Sequence, residues 1–250
     1  MLVTPTLLAK SQQRRDCGEY FHKPPWSPTD ARSDSSRTGT PYPSENLVVT
    51  EDFAEVLGVL LGDGCICKYT SRGRYYYVVA FTSSASEYWY YEEIVQQTFE
   101  TEFGVTGSLY LRKDGTTRFH VQGERIARAL LALGIPLGRK HDASIPPAVI
   151  ESGQIIAFIR GLYQAEGSIY RRYSKIYNRM KKVYDNLLVV QIRMKLPTLM
   201  RQINEELLNL GIETNRMSVR NGVYTLRITN QTMIRKFLDI IRPRYKTSPK

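Results

Sequence analysis

Val56-Leu-Gly-Val-Leu-Leu-Gly-Asp-Gly64 and Ile159-Arg-Gly-Leu-Tyr-Gln-Ala-Glu-Gly167 superimpose at an offset of 103 residues, each an apolar helical run ending in a carboxylate and a glycine. Self-similarity at a fixed offset is the mark of a duplicated unit, and it outweighs any single motif. A glycine directly after a helix commonly supplies positive φ at the C′ position, the role expected of Gly64 and Gly167. Further along, Gly104 to Pro136 and Gly211 to Pro243 superimpose at an offset of 107, which places four extra residues in the second copy. Within them Asp114-Gly115 falls on Asn221-Gly222. Such pairs between alternating runs mark type I′ hairpins, which need positive φ at both central positions.

Working outward, each copy reads helix, hairpin, helix, hairpin, helix. Helices are predicted at about 52–62, 87–103, 123–133, 153–165, 197–210 and 231–241, the fifth with Pro197 in its first turn. Strands are predicted near 65–70, 75–82, 107–113, 116–121, 168–174, 186–193, 214–220 and 223–229. The expected fold class is α+β, two pseudo-symmetric αββαββα halves at 46–150 and 151–250. Residues 1–45, with Pro24, Pro25, Pro28, Pro41 and Pro43 among serines, read as an irregular N-terminal extension.

The 250 residues carry 35 basic against 24 acidic side chains, a net charge of +11, which usually means a polyanionic partner. The excess is local: −3 over 46–153 and +13 over 154–250. No apolar run is long enough for a membrane span and the start lacks a secretory signal, so an intracellular, soluble protein is implied, with no membrane partner. Three cysteines, Cys17, Cys65 and Cys67, supply no second pair for a zinc tetrahedron. P-loop, Rossmann and G-x-S-x-G signatures are absent, and the three histidines form no metal-ligand pair.

Gly58 and Gly62 are four apart, as are Gly161 and Ala165, so each motif helix has a stripe of small residues that lets the two backbones approach. Packed side by side about a pseudo-two-fold axis, they deliver Asp63 and Glu166 together at the helix ends. Two adjacent carboxylates repel, so such a pair invites a divalent cation, and magnesium fits because phosphate oxygens complete its shell. The chemistry indicated is phosphodiester hydrolysis.

The paired segments ending Gly62-Asp63-Gly64 and Ala165-Glu166-Gly167 resemble the signature motifs of the LAGLIDADG homing endonucleases, single-chain two-motif type, with a flavour of the archaeal intron-encoded members. The similarity runs over about 50–246, through Leu210-Gly211-Ile212 and Gly222-Val-Tyr-Thr-Leu. The resemblance implies a monomeric, site-specific double-strand DNA endonuclease that uses Mg2+, with Mn2+ or Ca2+ substituting in structures, Ca2+ without turnover. It makes Asp63 and Glu166 the metal-binding catalytic carboxylates and the Gly62 and Ala165 carbonyls further ligands. It places Lys140 and Lys246 beside the cleavage-site phosphates. It makes the positions around Thr82 and Ser83 in the first copy, and Met194 and Lys195 in the second, the site where a polar side chain orders water, Lys195 alone keeping a typical residue. A non-cleaving binder of the same fold, such as an intron RNA maturase or a DNA-binding regulator, is the alternative.

A saddle-shaped pair of antiparallel sheets would read the duplex in its major groove. Alternation in the second hairpins points Leu109, Leu111, Phe119 and Val121, and Met217, Val219, Leu226 and Ile228, inward. It points Tyr110, Arg112, Arg118, His120 and Gln122, and Arg216, Ser218, Arg220, Thr225, Arg227 and Thr229, toward DNA. In the first hairpins Tyr69, Arg74, Tyr75, Tyr77, Tyr170 and Arg172 are further candidates, and the basic insertion 171–182, with Lys181 and Lys182, would grip phosphates.

Overall fold

The computed structural model describes residues 47–175 and 181–247, without the side chains of 173–175 and 181–186. The N-terminal extension and the side chains of Lys181 and Lys182 lie outside the described residues.

Thr50 starts the first helix, α1 (Glu51–Asp63): its hydroxyl accepts the Phe53 amide at 3.3 Å, and Glu51 and Asp52 occupy the first turn, where the helix dipole favours negative charge. The chain passes without a loop into β1 (Gly64–Ser71) and returns in β2 (Arg74–Ser84). A 3₁₀ turn (Ala85–Glu87), one turn of α2 (Tyr88–Tyr90) and a π-helical stretch (Tyr91–Gln96) lead into α3 (Gln97–Phe103), closed by left-handed Gly104. The hairpin β3 (Ser108–Leu111) and β4 (Thr116–Gln122) and helix α4 (Glu124–Ala132) complete the first copy. After the short α5 (Pro147–Glu151), absent from the sequence reading, come α6 (Ile155–Glu166), β5 (Gly167–Lys175), β6 (Lys181–Met194), α7 (Pro197–Asn209), β7 (Ser218–Arg220), β8 (Val223–Ile228) and α8 (Gln231–Ile241).

The strands form two antiparallel four-stranded sheets, ordered β1-β2-β4-β3 and β5-β6-β8-β7. This is the α+β architecture of two repeated units that the sequence predicts. Each sheet packs one face on helices: Phe81, Phe99 and Phe119 meet with ring centroids 5.5–6.0 Å apart under the first, and Ile192, Leu226 and Ile228 belong to the same continuous core under the second. No helix among the described residues is long and apolar enough to cross a membrane.

Register resolves the mismatch of offsets differently from the sequence reading. Gly64 pairs Phe81, 17 residues on, whereas Gly167 pairs Ile192, 25 residues on, so the β5–β6 hairpin is eight residues longer. Since Phe81 faces Phe119 and Ile192 faces Leu226, the two are equivalent. From there to the helix-ending glycines is 23 residues in the first copy and 19 in the second, so the first copy holds four extra residues between Phe81 and Gly104.

Several local expectations change. Gly64 (φ −98°) and Gly167 (φ −88°) are extended rather than left-handed. Glycine is needed there for room: a Cβ at Gly64 would stand 2.9 Å from the Leu60 Cα, and one at Gly167 would strike the Tyr163 ring and carbonyl. Asn221-Gly222 has both φ positive, as does Arg72-Gly73, but in the Asp114-Gly115 turn only Gly115 does. That loop is longer, closed by Gly115 N to Arg112 O at 3.0 Å and Arg112 N to Thr116 O at 2.8 Å. Leu111 and Val219, expected inward, are 56% exposed, because each lies near the end of a short edge strand. Thr225, expected to face DNA, is buried, since it sits on a central strand between Arg193 and Ser218 in register.

Candidate active site at the motif helix ends

α1 and α6 cross at their small residues. A Cβ at Gly161 would collide with the Glu55 carbonyl and one at Gly58 with the Phe158 carbonyl, and Gly58 would also lie 2.7 Å from the Leu162 nitrogen. Gly62 faces Ala165 one turn further on, and its missing Cβ would lie 3.2 Å from the Glu166 Cγ. Asp63 and Glu166, the last residues of the two helices, are thereby brought within electrostatic reach of each other.

The Asp63 carboxyl is raised well above the usual carboxylate range, first by burial, then by the negative charge of Glu166 and of Glu87, against the opposing pull of Lys246 and Lys140. Both lysines sit on helix carboxyl ends, where unsatisfied carbonyls attract cations. The Lys140 ammonium donates to the Leu60, Leu61 and Gly62 carbonyls, each at 2.9 Å. Lys246 donates to the Gln164 carbonyl and, at 3.5 Å, to that of Ala165, and stands 3.7 Å from Glu87. So four charged residues named from the sequence converge here, and the two carbonyls named with them are engaged by ammonium groups.

Glu87 is the residue that the sequence reading missed. It lies between Phe81 and Gly104, where the first copy is four residues longer than the second, so the offsets that align the motifs give it no fixed counterpart. Lys195 stays apart: it is exposed one residue past β6 and is not among the charges that dominate at Asp63.

The donor set suits a hard divalent cation, because carboxylate and carbonyl oxygens supply it and added positive charge would offset the crowding at Asp63. Among the described residues no group of three or more His, Cys, Asp and Glu side chains is placed to hold an ion by itself. An ion here would therefore draw the rest of its shell from backbone, water and phosphate.

The sheet faces turned away from the helices carry the polar side chains. On the first sheet, Tyr69 stacks on Tyr76 at 5.3 Å, Thr82 pairs Arg118 and Ala80 pairs His120, and Tyr110 meets His120 edge-on at 6.1 Å. Arg74, Arg112 and Gln122 extend this face by strand parity and position, although Arg112 is tied to Asp114 at 3.1 Å. Tyr75 and Tyr77 do not lie on it. They share strand parity with Val79 and Phe81, Tyr77 packs on the core, and Lys68 lies 4.0 Å from the Tyr75 ring centroid and 5.4 Å from that of Tyr77. Tyr76 takes their place.

On the second sheet Gln191, unnamed in the sequence reading, is the hub: its amide oxygen accepts from Tyr170 at 3.3 Å and from the Arg227 Nε at 3.0 Å. Ser218 and Arg220 lie on the edge strand β7 beyond β8, opposite Thr225 and Val223, Arg172 lies where β5 slips register, and Arg216 and Thr229 lie just off β7 and β8.

Residues 153–242 match the family model of the LAGLIDADG-like domain. A search of curated proteins found no match. Among solved structures, mesophilic variants of the homing endonuclease I-DmoI superimpose with a TM-score of 0.54 at 21% identity, covering 78% of this chain and 98% of that one. I-DmoI in complex with DNA and Mn gives 0.54 at 22% identity, with 79% and 99% covered. The LAGLIDADG meganuclease I-AabMI bound to uncleaved DNA gives 0.50 at 12% identity, with 74% and 82% covered. Further I-DmoI complexes with DNA contain Ca or were obtained in the presence of Mg. At these identities the likeness is one of fold.

Proposed function

We propose that this chain is a magnesium-dependent, site-specific DNA endonuclease of the intron-homing type. In this reading it works inside the cell as a monomer, residues 46–150 and 151–250 acting as its two halves, since one chain already carries both motif helices. One observation carries the proposal: two carboxylates, Asp63 and Glu166, close the equivalent ends of two helices packed backbone to backbone, each end flanked by a lysine. A protein that only binds DNA has no use for a repulsive carboxylate pair in that place.

The chemistry divides as follows. A bound divalent ion supplies charge stabilisation at phosphate and lowers the pKa of an attacking water. Asp63 and Glu166 hold and orient that charge, one from each half. Lys140 and Lys246, already seated on the helix carbonyls, add positive charge where a cleaved phosphate would develop negative charge. Arg118, His120, Gln122, Gln191 and Arg227 face the grooves, where arginine reads guanine and glutamine reads adenine. Arg172, Arg216 and Arg220 suit phosphate contacts.

Incubation with a randomised plasmid library and magnesium tests the reading. Double-strand breaks at one recurrent sequence are expected, and Asp63→Asn or Glu166→Gln should abolish them while duplex affinity is largely kept. Specific binding without any breaks would replace the endonuclease with a non-cleaving binder of the same fold, of the regulator or intron RNA maturase kind.

A further inference from the structure

The segment after α8 is held in place by charges from the opposite copy of the repeat. α8 ends at Ile241, Arg242 turns left-handed (φ 50°) and Pro243 bars continued helix. The chain from 242 to 247 then runs as a strap along the two motif helices. Its first anchor is Arg244, whose Nε meets both Glu55 carboxylate oxygens at 2.9 and 3.0 Å and whose Nη2 meets Asp52 at 2.8 Å. Glu55 is fully buried on α1 and also accepts from Arg160 at 3.1 Å and the Tyr90 hydroxyl at 2.8 Å. Tyr245 follows, its hydroxyl on the Gln164 carbonyl at 3.3 Å and its ring against Trp89 and Tyr90. Lys246 ends the strap on the Gln164 and Ala165 carbonyls, with its own carbonyl accepting from the Tyr163 hydroxyl at 3.2 Å.

The first copy lacks the residues that build this network. At the offset of 103 the equivalent of Glu55 is Phe158 and that of Arg160 is Leu57, both apolar. Lys140 instead arrives on a segment fixed by backbone, with Gly138 N on the Ile66 carbonyl at 2.7 Å beside an Ile66–Leu137 bridge.

We propose that Arg244 is a positioning residue: its paired hydrogen bonds to buried Glu55, with Asp52, fix the 242–247 strap and so seat Lys246 at the carbonyl end of α6. One of the two lysine-flanked helix ends is thus built by a charge network reaching across to the other copy, while at the other the backbone contacts of Leu137 and Gly138 help to place Lys140. The functional half of this statement rests on the endonuclease reading; the structural half does not. Removing Arg244 leaves Glu55 paired with Arg160 and Tyr90, so the fold should survive where removal of Glu55 would strand two arginines.

Two measurements on the full chain test it. Hydrogen exchange in the free protein should rise about tenfold at the strap amides in Arg244→Ala, with little change inside α1 and α6, and Arg244→Lys should recover part of the protection. On the site recovered from the plasmid library, with each strand end-labelled separately, Arg244→Ala should slow one strand about tenfold or more and leave the other near wild type. Lys246→Met should slow the same strand, and the double variant should be no slower than Lys246→Met, because Arg244 acts through Lys246. Unchanged strap exchange, equal slowing of both strands, or multiplied effects in the double variant would overturn the proposal. If the wild type cuts neither strand, the endonuclease reading falls, and the exchange data still decide the strap.

Discussion

Asp63 is held where its charge is least welcome. Burial, then Glu166, then Glu87 raise its carboxyl, and Lys246 and Lys140 only oppose them. A folded-state value above the ordinary 3.8 means that stability is full below that pH and is lost as pH rises through the raised value, so the metal-free protein at neutral pH bears the cost. Asp63→Asn should therefore raise the Tm in metal-free buffer at pH 7 by roughly 2–4 °C, the size of about 1 kcal/mol in a chain of this length. Magnesium should stabilise the wild type and not the variant, and a lower Tm in the variant would refute the crowding of carboxylates. His120 has the opposite sign. Burial, and then Arg118, lower its pKa, so its contribution is full above 6.5 and is lost as pH falls toward the lowered value. His120→Gln should flatten the acid side of a denaturation series between pH 7 and 5; an unchanged slope would assign it to other groups. Asp63 and Glu166 were legible in the sequence because they occur twice in register. Glu87 was not, because it lies in the stretch where the two copies differ in length and the repeat assigns it no fixed counterpart.

At the scale of elements, the crossing of α1 and α6 explains why glycine is required at two kinds of position. Gly161 and Gly58 have ordinary helical backbone and no space, since each missing Cβ would meet a carbonyl of the facing helix. Gly73 has open space and a left-handed backbone at φ 74°. Gly161→Ala should cost roughly 3 kcal/mol or more, as overpacking forces two backbones apart, whereas Gly73→Ala should cost about 1–2 kcal/mol of conformational strain. Urea denaturation of both variants would show the order, and the reverse order would mean that the helices slide apart freely. The glycine spacing disclosed this crossing from sequence alone. It did not disclose the reason for Gly64 and Gly167, which close packing on Leu60 and Tyr163 sets rather than helix capping, because packing partners are not written in the local pattern. Strand parity failed in the same way at Leu111 and Val219, which alternation turns inward but which stay exposed on short edge strands, and at Tyr75 and Tyr77, where only register tells the two faces of β2 apart.

At the scale of the whole molecule, the charge asymmetry becomes a difference in how two similar sheets would hold one duplex. The open face of the first sheet is aromatic, with Tyr69 stacked on Tyr76 and Tyr110 against His120, and its Arg112 is offset by Asp114. The second carries Arg193, Arg216, Arg220 and Arg227 as exposed residues, with Arg193 opposite Thr225 and Arg227 opposite Gln191. The location of the excess was readable from residue counts, but the reason that the first sheet contributes little was not, since it lies in a turn whose geometry the Asp-Gly pair only half revealed. If the second sheet supplies most phosphate contacts, Arg216→Gln with Arg220→Gln should make the slope of log Kd against log salt shallower by about 1.8, two released counterion equivalents at roughly 0.9 each. The matching change on the first sheet, Arg112→Gln, should move the slope by much less than one equivalent, because its charge is already shared with Asp114. Tyr76→Ala should leave the slope alone and weaken binding at every salt concentration. Fluorescence anisotropy on a fixed duplex from about 50 to 200 mM salt reads all three. Equal slope changes from the two sheets would show that charge placement along the chain does not set how the duplex is gripped, and would leave the two faces distinguished by shape alone.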